Sequence, residues 1–291
     1  MSTPFDNSST KTDNFKVRED APPDPPTLCV NKFYDKNVNG LKDTDECYIN
    51  GWPIQVFADD NLYIERNTNF CSVVDADSYR VVEGDIANWI HTTPSSVYPV
   101  TLPPDQTVEF GNVCLGAGGG KTLGFWSNKN GQNTETASDL CYLDTLCLVN
   151  ANGSNFDPIN VNLCPAPTPN VLSAAKASLS TWLLNANAVN MANMLSAQLT
   201  AMELNARHGV NGTALVYGGD CIANYFPGSN GFITINDLMA AARSELCLHP
   251  NTPAGNPARA YQECLKTTLD NGNNNLNFVQ SEPCSPFTCA Q

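Results

Sequence analysis

Two hydrophobic rhythms divide this 291-residue chain. Between residues 28 and 115, apolar and β-branched residues come in short runs parted by Gly, Pro, Asn and Asp: LCVNKFYD, PIQVFAD, LYIE, FCSVV, YRVVE, VYPVTL and TVEFGNVCL. Seven short strands at this spacing predict an antiparallel β-sandwich. Beyond residue 121 the repeat becomes helical. Leu172, Ala175, Leu179, Trp182 and Leu183 recur on one face of a region spanning roughly 170–207. The stripe of Met191, Met194, Leu195, Leu199 and Met202 continues it past a bend at 185–190 and reads as helix core rather than a metal or haem box. Gly209 ends the region as a C-cap. Ser138 is placed to cap a short helix through Cys147; another starts near Asn236 with Asp237 in its first turn, and a third opens on Pro257 and ends at Gly272.

The fold class predicted is therefore α+β and multidomain: an antiparallel β-sandwich followed by a disulfide-rich, mostly α-helical domain. The divisions are an extended arm at 1–27, the sandwich at 28–115, a glycine linker at 116–122 and the helical domain, of four or five helices, at 123–291. The linker segment, GAGGGKT, is off by one from a phosphate loop, with Leu115 where the first glycine belongs, and no helix opens behind it.

Twelve cysteines change the picture more than any other composition term: Cys29, Cys47, Cys71 and Cys114 precede residue 115, and Cys141, Cys147, Cys164, Cys221, Cys247, Cys264, Cys284 and Cys289 follow it. None has zinc-ligand spacing, so six disulfides and an extracellular or cell-surface location are expected. Even counts on both sides suit two domains with no bridge crossing between them. A net charge of −14 argues against nucleic acid and anionic membrane surfaces as partners. No apolar run is long enough to insert in a membrane, and residues 1–25 lack the apolar stretch of a signal peptide. Phe5, Phe15 and Val17 are the apolar anchors of the charged, Pro-rich arm and are candidates for a strand-addition contact with another subunit, against a tail folded on its own domain.

Residues 35–46, DKNVNGLKDTDE, fill the pattern D-x-[DN]-x-[DN]-G-x5-E. Asp35, Asn37, Asn39, Asp43 and Glu46 would offer side-chain oxygens, Leu41 its carbonyl, and Gly40 the sharp turn, a donor set suited to Ca²⁺. Pro25, Pro26 and Pro53 and the β-rich flank exclude the helices of an EF-hand, so the loop joins strands. The alternative is a polar turn that binds nothing. Residues 270–277, DNGNNNLN, are also oxygen-rich, but Ser281 stands where the closing acid belongs, and an Asn-rich turn is expected there.

The segments FYDKNVNGLKDTDECYINGWPIQVF, YRVVEGD and TVEFGNV resemble the B-type, prealbumin-like domains of Gram-positive surface adhesins, the Cna-B and serine-aspartate-repeat families, over about 90 residues. The resemblance implies a spacer or stalk domain without enzymatic activity. Many Cna-B domains carry a spontaneous Lys–Asn isopeptide bond assisted by a buried acid; matched by motif, the residues are Lys32, Glu83 and Asn112. The subtype with the calcium loop usually lacks this bond, and a Cys29–Cys114 bridge would clamp the same strands, so a surface lysine and a turn asparagine stay the other reading. GKTLGFWSNKNGQ and MLSAQLTAMELN resemble the C-terminal part of uncharacterised secreted bacterial proteins, which implies no activity.

No nucleophile elbow and no H-E-x-x-H or H-x-H motif appears, and His208 and His249 sit at helix C-termini. The function expected is a non-enzymatic extracellular structural protein, stabilised by calcium and disulfides, self-associating into a surface layer, stalk or filament. One alternative is an adhesin contacting a cell-surface or matrix partner, glycan or protein, through exposed Trp52, Trp89 or tyrosines. The other is a glycoside hydrolase whose carboxylate pair no sequence spacing would reveal.

Overall fold

The computed structural model describes residues 24–159, 164 and 167–290; the arm residues Phe5, Phe15 and Val17 lie outside them. All seven expected strands are present, as β1 (Thr27–Tyr34), β2 (Pro53–Ala58), β3 (Asn61–Asn67), β4 (Phe70–Val73), β5 (Ser78–Glu83), β7 (Ser96–Thr101) and β8 (Gln106–Gly116). An eighth, β6 (Trp89–His91), is too short to show any alternation. One sheet has the order β3-β2-β5-β7. The other is built around β8, which pairs with β1 on one edge and β6 on the other. The β1–β8 ladder is parallel, which corrects the expectation of an all-antiparallel sandwich. Strands far apart in sequence can lie side by side in either direction, because no hairpin fixes them.

Period-two alternation decides what faces the core. Leu28, Val30, Lys32 and Tyr34 of β1, Tyr79, Val81 and Glu83 of β5, and Val108, Phe110, Asn112 and Cys114 of β8 all point inward and are buried. Three of those inward positions are polar. Burying each unpaired would cost several kcal/mol, roughly 2–7 for a neutral group, so they demand partners.

The second half packs its helices around α5 (Met191–Arg207), which is buried on nearly every face, as a central helix must be. It lies against α7 (Ile235–Leu248) and α8 (Arg259–Asn273). α4 (Pro169–Asn185) precedes it, and the expected bend is a break at which the Asn190 side chain accepts from the Ala192 N–H at 3.2 Å to start α5. The short helix expected to start at a Ser138 cap and run through Cys147 is α3 (Ala137–Leu143), which holds Ser138 inside it, opens instead on a capping box between Thr136 and Asp139, and ends four residues earlier. Four helices of seven residues or fewer lie in this half: α3 itself, and α1 (Leu123–Ser127), α2 (Lys129–Thr134) and α6 (Gly219–Tyr225), which the sequence pattern did not predict. With α4, α5, α7 and α8 they make eight helices among the described residues, where four or five were expected.

Two halves with no bridge between them is not what the structure has. Cys141–Cys164, Cys147–Cys247 and Cys221–Cys264 lie in the second half and Cys29–Cys71 ties β1 to β4, but Cys47–Cys289 and Cys114–Cys284 join the end of the chain to the sandwich. The Cys29–Cys114 clamp is therefore absent. The reason is the path of the C-terminal segment. After α8, strand β11 (Phe278–Val279) pairs with β8, and with β9 (Leu215–Tyr217), itself paired to β10 (Phe232–Thr234). The Tyr34 hydroxyl donates to the Gln280 carbonyl at 2.7 Å, and Phe287 packs 4.9 Å from Trp52 and 5.5 Å from Trp89 between ring centroids. The supposed linker is packed as well. Gly116 belongs to β8, and Asn275, at φ 60°, accepts from the N–H groups of Gly118 and Gly120 through Oδ1. Residues 270–273 are still helical, as the last turn of α8, so the asparagine-rich turn expected at 270–277 is confined to 274–277, where Asn275 pins the glycines.

Candidate functional site

The three polar residues on the inward faces of β1, β5 and β8 face one region of the core, Lys32 and Glu83 in direct contact and Asn112 beside them. Lys32 pairs with Phe110 and Tyr34 with Asn112 in the parallel ladder, so Lys32 and Asn112 stand one diagonal step apart on the same face. Glu83 approaches from the opposite sheet and receives the Lys32 ammonium on Oε2. Lys32 is wholly buried, Glu83 is 3 % exposed and Asn112 1 %. The ammonium also lies 4.6 Å from the centroid of the Trp52 ring and 6.0 Å from that of Phe110, both aromatic faces that favour a cation. Burial nonetheless pushes the lysine down to about 8, with Glu83 working in the other direction. An amine this close to neutral is a nucleophile in waiting. Asn112 Nδ2 is buried and has no hydrogen-bond partner among the described residues, so nothing holds the amide nitrogen in place.

His91 comes from β6, a strand too short to carry a periodic signal that would mark it in the sequence. It sits directly opposite Asn112 in the β6–β8 ladder. Its Nδ1 is 2.8 Å from Glu83 Oε1 and 3.2 Å from Asn112 Oδ1, and Nε2 is 2.7 Å from Asp85 Oδ1. Hydrogen bonding to Glu83 above all pushes the imidazole up to about 9; burial opposes this, Asp85 adds to it and the charge of Lys32 subtracts.

The calcium-pattern loop begins one residue beyond β1 and is fastened to the same place, for the Asp35 N–H donates to the Asn112 carbonyl at 3.1 Å. The Asp35 carboxylate, fully buried, accepts from the N–H groups of Asn39 (3.1 Å) and Gly40 (2.7 Å). Gly40 takes φ +75°, a left-handed turn that glycine adopts without strain. Asn39 Oδ1 accepts from the Leu41 N–H at 2.7 Å, and Asn37 and Asn39 both donate to Asp43 Oδ2, at 2.7 and 2.9 Å. Glu46 Oε2 accepts from the Asp43 N–H at 3.1 Å, whereas its Oε1 is buried without a partner among the described residues. Burial raises the Glu46 carboxyl, the neighbouring Asp35 and Asp43 adding to the effect and backbone donors opposing it. No group of three or more His, Cys, Asp or Glu gathered for a metal is found among the described residues. Glu46 Oε1 is thus the loop's one buried side-chain oxygen without a hydrogen-bond partner among the described residues.

Elsewhere, two buried carboxylates are paired between helices. Glu203 of α5 accepts from the Tyr142 hydroxyl at 2.9 Å and from Arg243 Nε at 2.5 Å, and Asp139 accepts from Arg207 at 2.6 Å and lies 3.0 Å from His208 Nε2. Glu135 is different: both its oxygens are buried without a partner among the described residues, and burial pushes it up to about 7. Trp52 and Trp89, expected as exposed contact residues of an adhesin, are buried at 0 % and 7 % exposure, because the C-terminal segment covers them.

No family model matches the chain, and neither a curated protein nor a solved structure matches it.

Proposed function

We propose that this chain is a non-enzymatic extracellular structural protein whose β-sandwich closes itself with an amide between Lys32 and Asn112. The observation that carries the reading is the contact of Lys32 with Glu83, with Asn112 beside them, inside a core from which water is excluded. Glu83 takes a proton from the Lys32 ammonium, and the freed Nζ lone pair bonds to Asn112 Cγ. Glu83 passes that proton to Nδ2 and takes the second one from Nζ, the Cγ–Nδ2 bond breaks, and ammonia leaves with the surplus proton left on Glu83. Two strands adjacent in the sheet are then joined covalently at a point where neither is held by a hairpin.

In this reading residues 35–46 are a calcium clip. Asp35, Asn37, Asn39, Asp43 and Glu46 would hold the ion with side-chain oxygens and Leu41 with its carbonyl, fixing the exit of the strand that carries Lys32. The unpartnered Glu46 oxygen supports it. Six disulfides support an oxidising, extracellular location. Among the described residues no helix is long and apolar enough to cross a membrane. Such a molecule suits a subunit of a surface layer, stalk or filament, self-associating partly through residues 1–27. The resemblance to Cna-B-type surface domains accords with this use.

Peptide mapping tests the crosslink. Digestion of the folded, then reduced protein should yield one branched peptide joining the segments around Lys32 and Asn112. Two separate, unmodified peptides would refute it.

A further inference from the structure

We infer that His91 is a fourth reacting group of the crosslink site: its Nδ1–H polarises the Asn112 carbonyl that Lys32 attacks, while Asp85 fixes the ring. The inference rests on the crosslink reading above and adds to it an electrophilic catalyst that the lysine–acid–amide set does not contain.

The geometry places His91 where charge would develop. An amide is a poor electrophile, and attack by Nζ pushes the carbonyl electron pair onto Oδ1. In a dry core, that oxyanion needs a donor already aimed at it. Nδ1 is 3.2 Å from Oδ1 and, across the ladder, no rearrangement of backbone is needed to reach it. With a carboxylate at each ring nitrogen, Glu83 at Nδ1 and Asp85 at Nε2, both nitrogens carry protons and both donate. The groups that face the ring are Glu83 of β5, Asp85 just beyond it, Lys32 of β1 and Asn112 of β8. The two carboxylates outweigh the one lysine, and the ring holds its charge up to about pH 9.

The steps balance. In the resting site the Nδ1–H points to Glu83 Oε1. Once Glu83 has taken a proton from Lys32, it no longer competes strongly as an acceptor, and the Nδ1–H turns to Asn112 Oδ1 as Nζ bonds to Cγ. Glu83 delivers its proton to Nδ2 and takes the second one from Nζ. The carbonyl re-forms, ammonia departs, and His91 ends with the protons it began with. Asp85 is 93 % exposed and His91 half-buried, so the ring also stands between the dry core and solvent.

The test uses the full chain, recovered denatured and reduced so that it has never crosslinked, then refolded oxidatively over a range of pH. Mass spectrometry follows the fraction that has become one ammonia lighter. The wild-type rate is expected to fall above pH 9, as the imidazolium is lost. His91→Gln is expected to crosslink about 100-fold more slowly, the usual cost of one oxyanion donor, and to lack that alkaline fall. Asp85→Asn, at an exposed position, is expected to move the fall to lower pH. A His91→Gln chain that refolds and crosslinks at the wild-type rate overturns the proposal. If that variant fails to refold, an Asp85→Asn profile identical to wild type overturns it instead. Wild-type chains that never become lighter refute the underlying crosslink as well, which separates the two failures.

Discussion

Lys32 places its ammonium 4.6 Å from the centroid of the Trp52 ring, and neither residue is exposed to solvent at all. Phe287 packs on the same indole. A lysine is thus sealed under two aromatic layers, one of them supplied by a segment 255 positions further along the chain (287 minus 32). Its charge is tolerable there only through Glu83 and the ring face, which makes the pair's removal informative. Glu83→Gln abolishes the crosslink and strands a buried, unpaired cation, so it loses both the covalent tie and the pairing and should be markedly less stable than wild type. Lys32→Met combined with Glu83→Gln removes both charges and should recover part of that loss. Urea unfolding of the three proteins measures it, and a double variant no more stable than Glu83→Gln would contradict the pairing.

The calcium clip is tested by melting. A cation that binds only the folded chain adds about 2.7 kcal/mol at a hundredfold excess over its dissociation constant. The melting temperature should therefore rise by several degrees on going from chelator to millimolar Ca²⁺, by the usual scaling of stability to melting temperature. Glu46→Gln should remove most of the rise, because it takes a charge from a ligand whose buried Oε1 has no partner among the described residues. A wild-type melt indifferent to both chelator and Ca²⁺ contradicts the assignment.

Glu135 gives a pH-dependent signature. Its folded carboxyl titrates near 7, above the ordinary value of 4.5, so the folded chain binds more protons than the unfolded chain between those limits. Stability from this group is complete below 4.5 and is lost as pH rises through 7. Glu135→Gln should accordingly stabilise the protein at pH 8, by roughly 1–3 kcal/mol for relief of a buried unsatisfied group, and be neutral at pH 4. Equal effects at both pH values would contradict the burial account.

Much of the first half was legible because a strand's alternation is local. The same alternation also held the signal for the site: Lys32, Glu83 and Asn112 each fall in phase with apolar neighbours, Val30, Val81 and Phe110, and so point into the core. His91 was not legible, since a three-residue strand has no phase to read and its meaning comes only from the residue across the ladder. The disulfide map escaped for a related reason. Cysteine counts constrain parity, not path, and the return of residues 278–290 to β8, Trp52 and Trp89 is a long-range event that no local pattern announces. The short helices α1, α2 and α6 are too brief for a helical repeat and are held by packing.

The most direct measurement is the intact mass of the folded, oxidised protein. Six disulfides remove twelve hydrogens from the sequence mass. The account requires a further loss of one ammonia in wild type, surviving reduction, and no such loss in Lys32→Met or Glu83→Gln. A wild-type mass that returns to the full sequence value on reduction would contradict it.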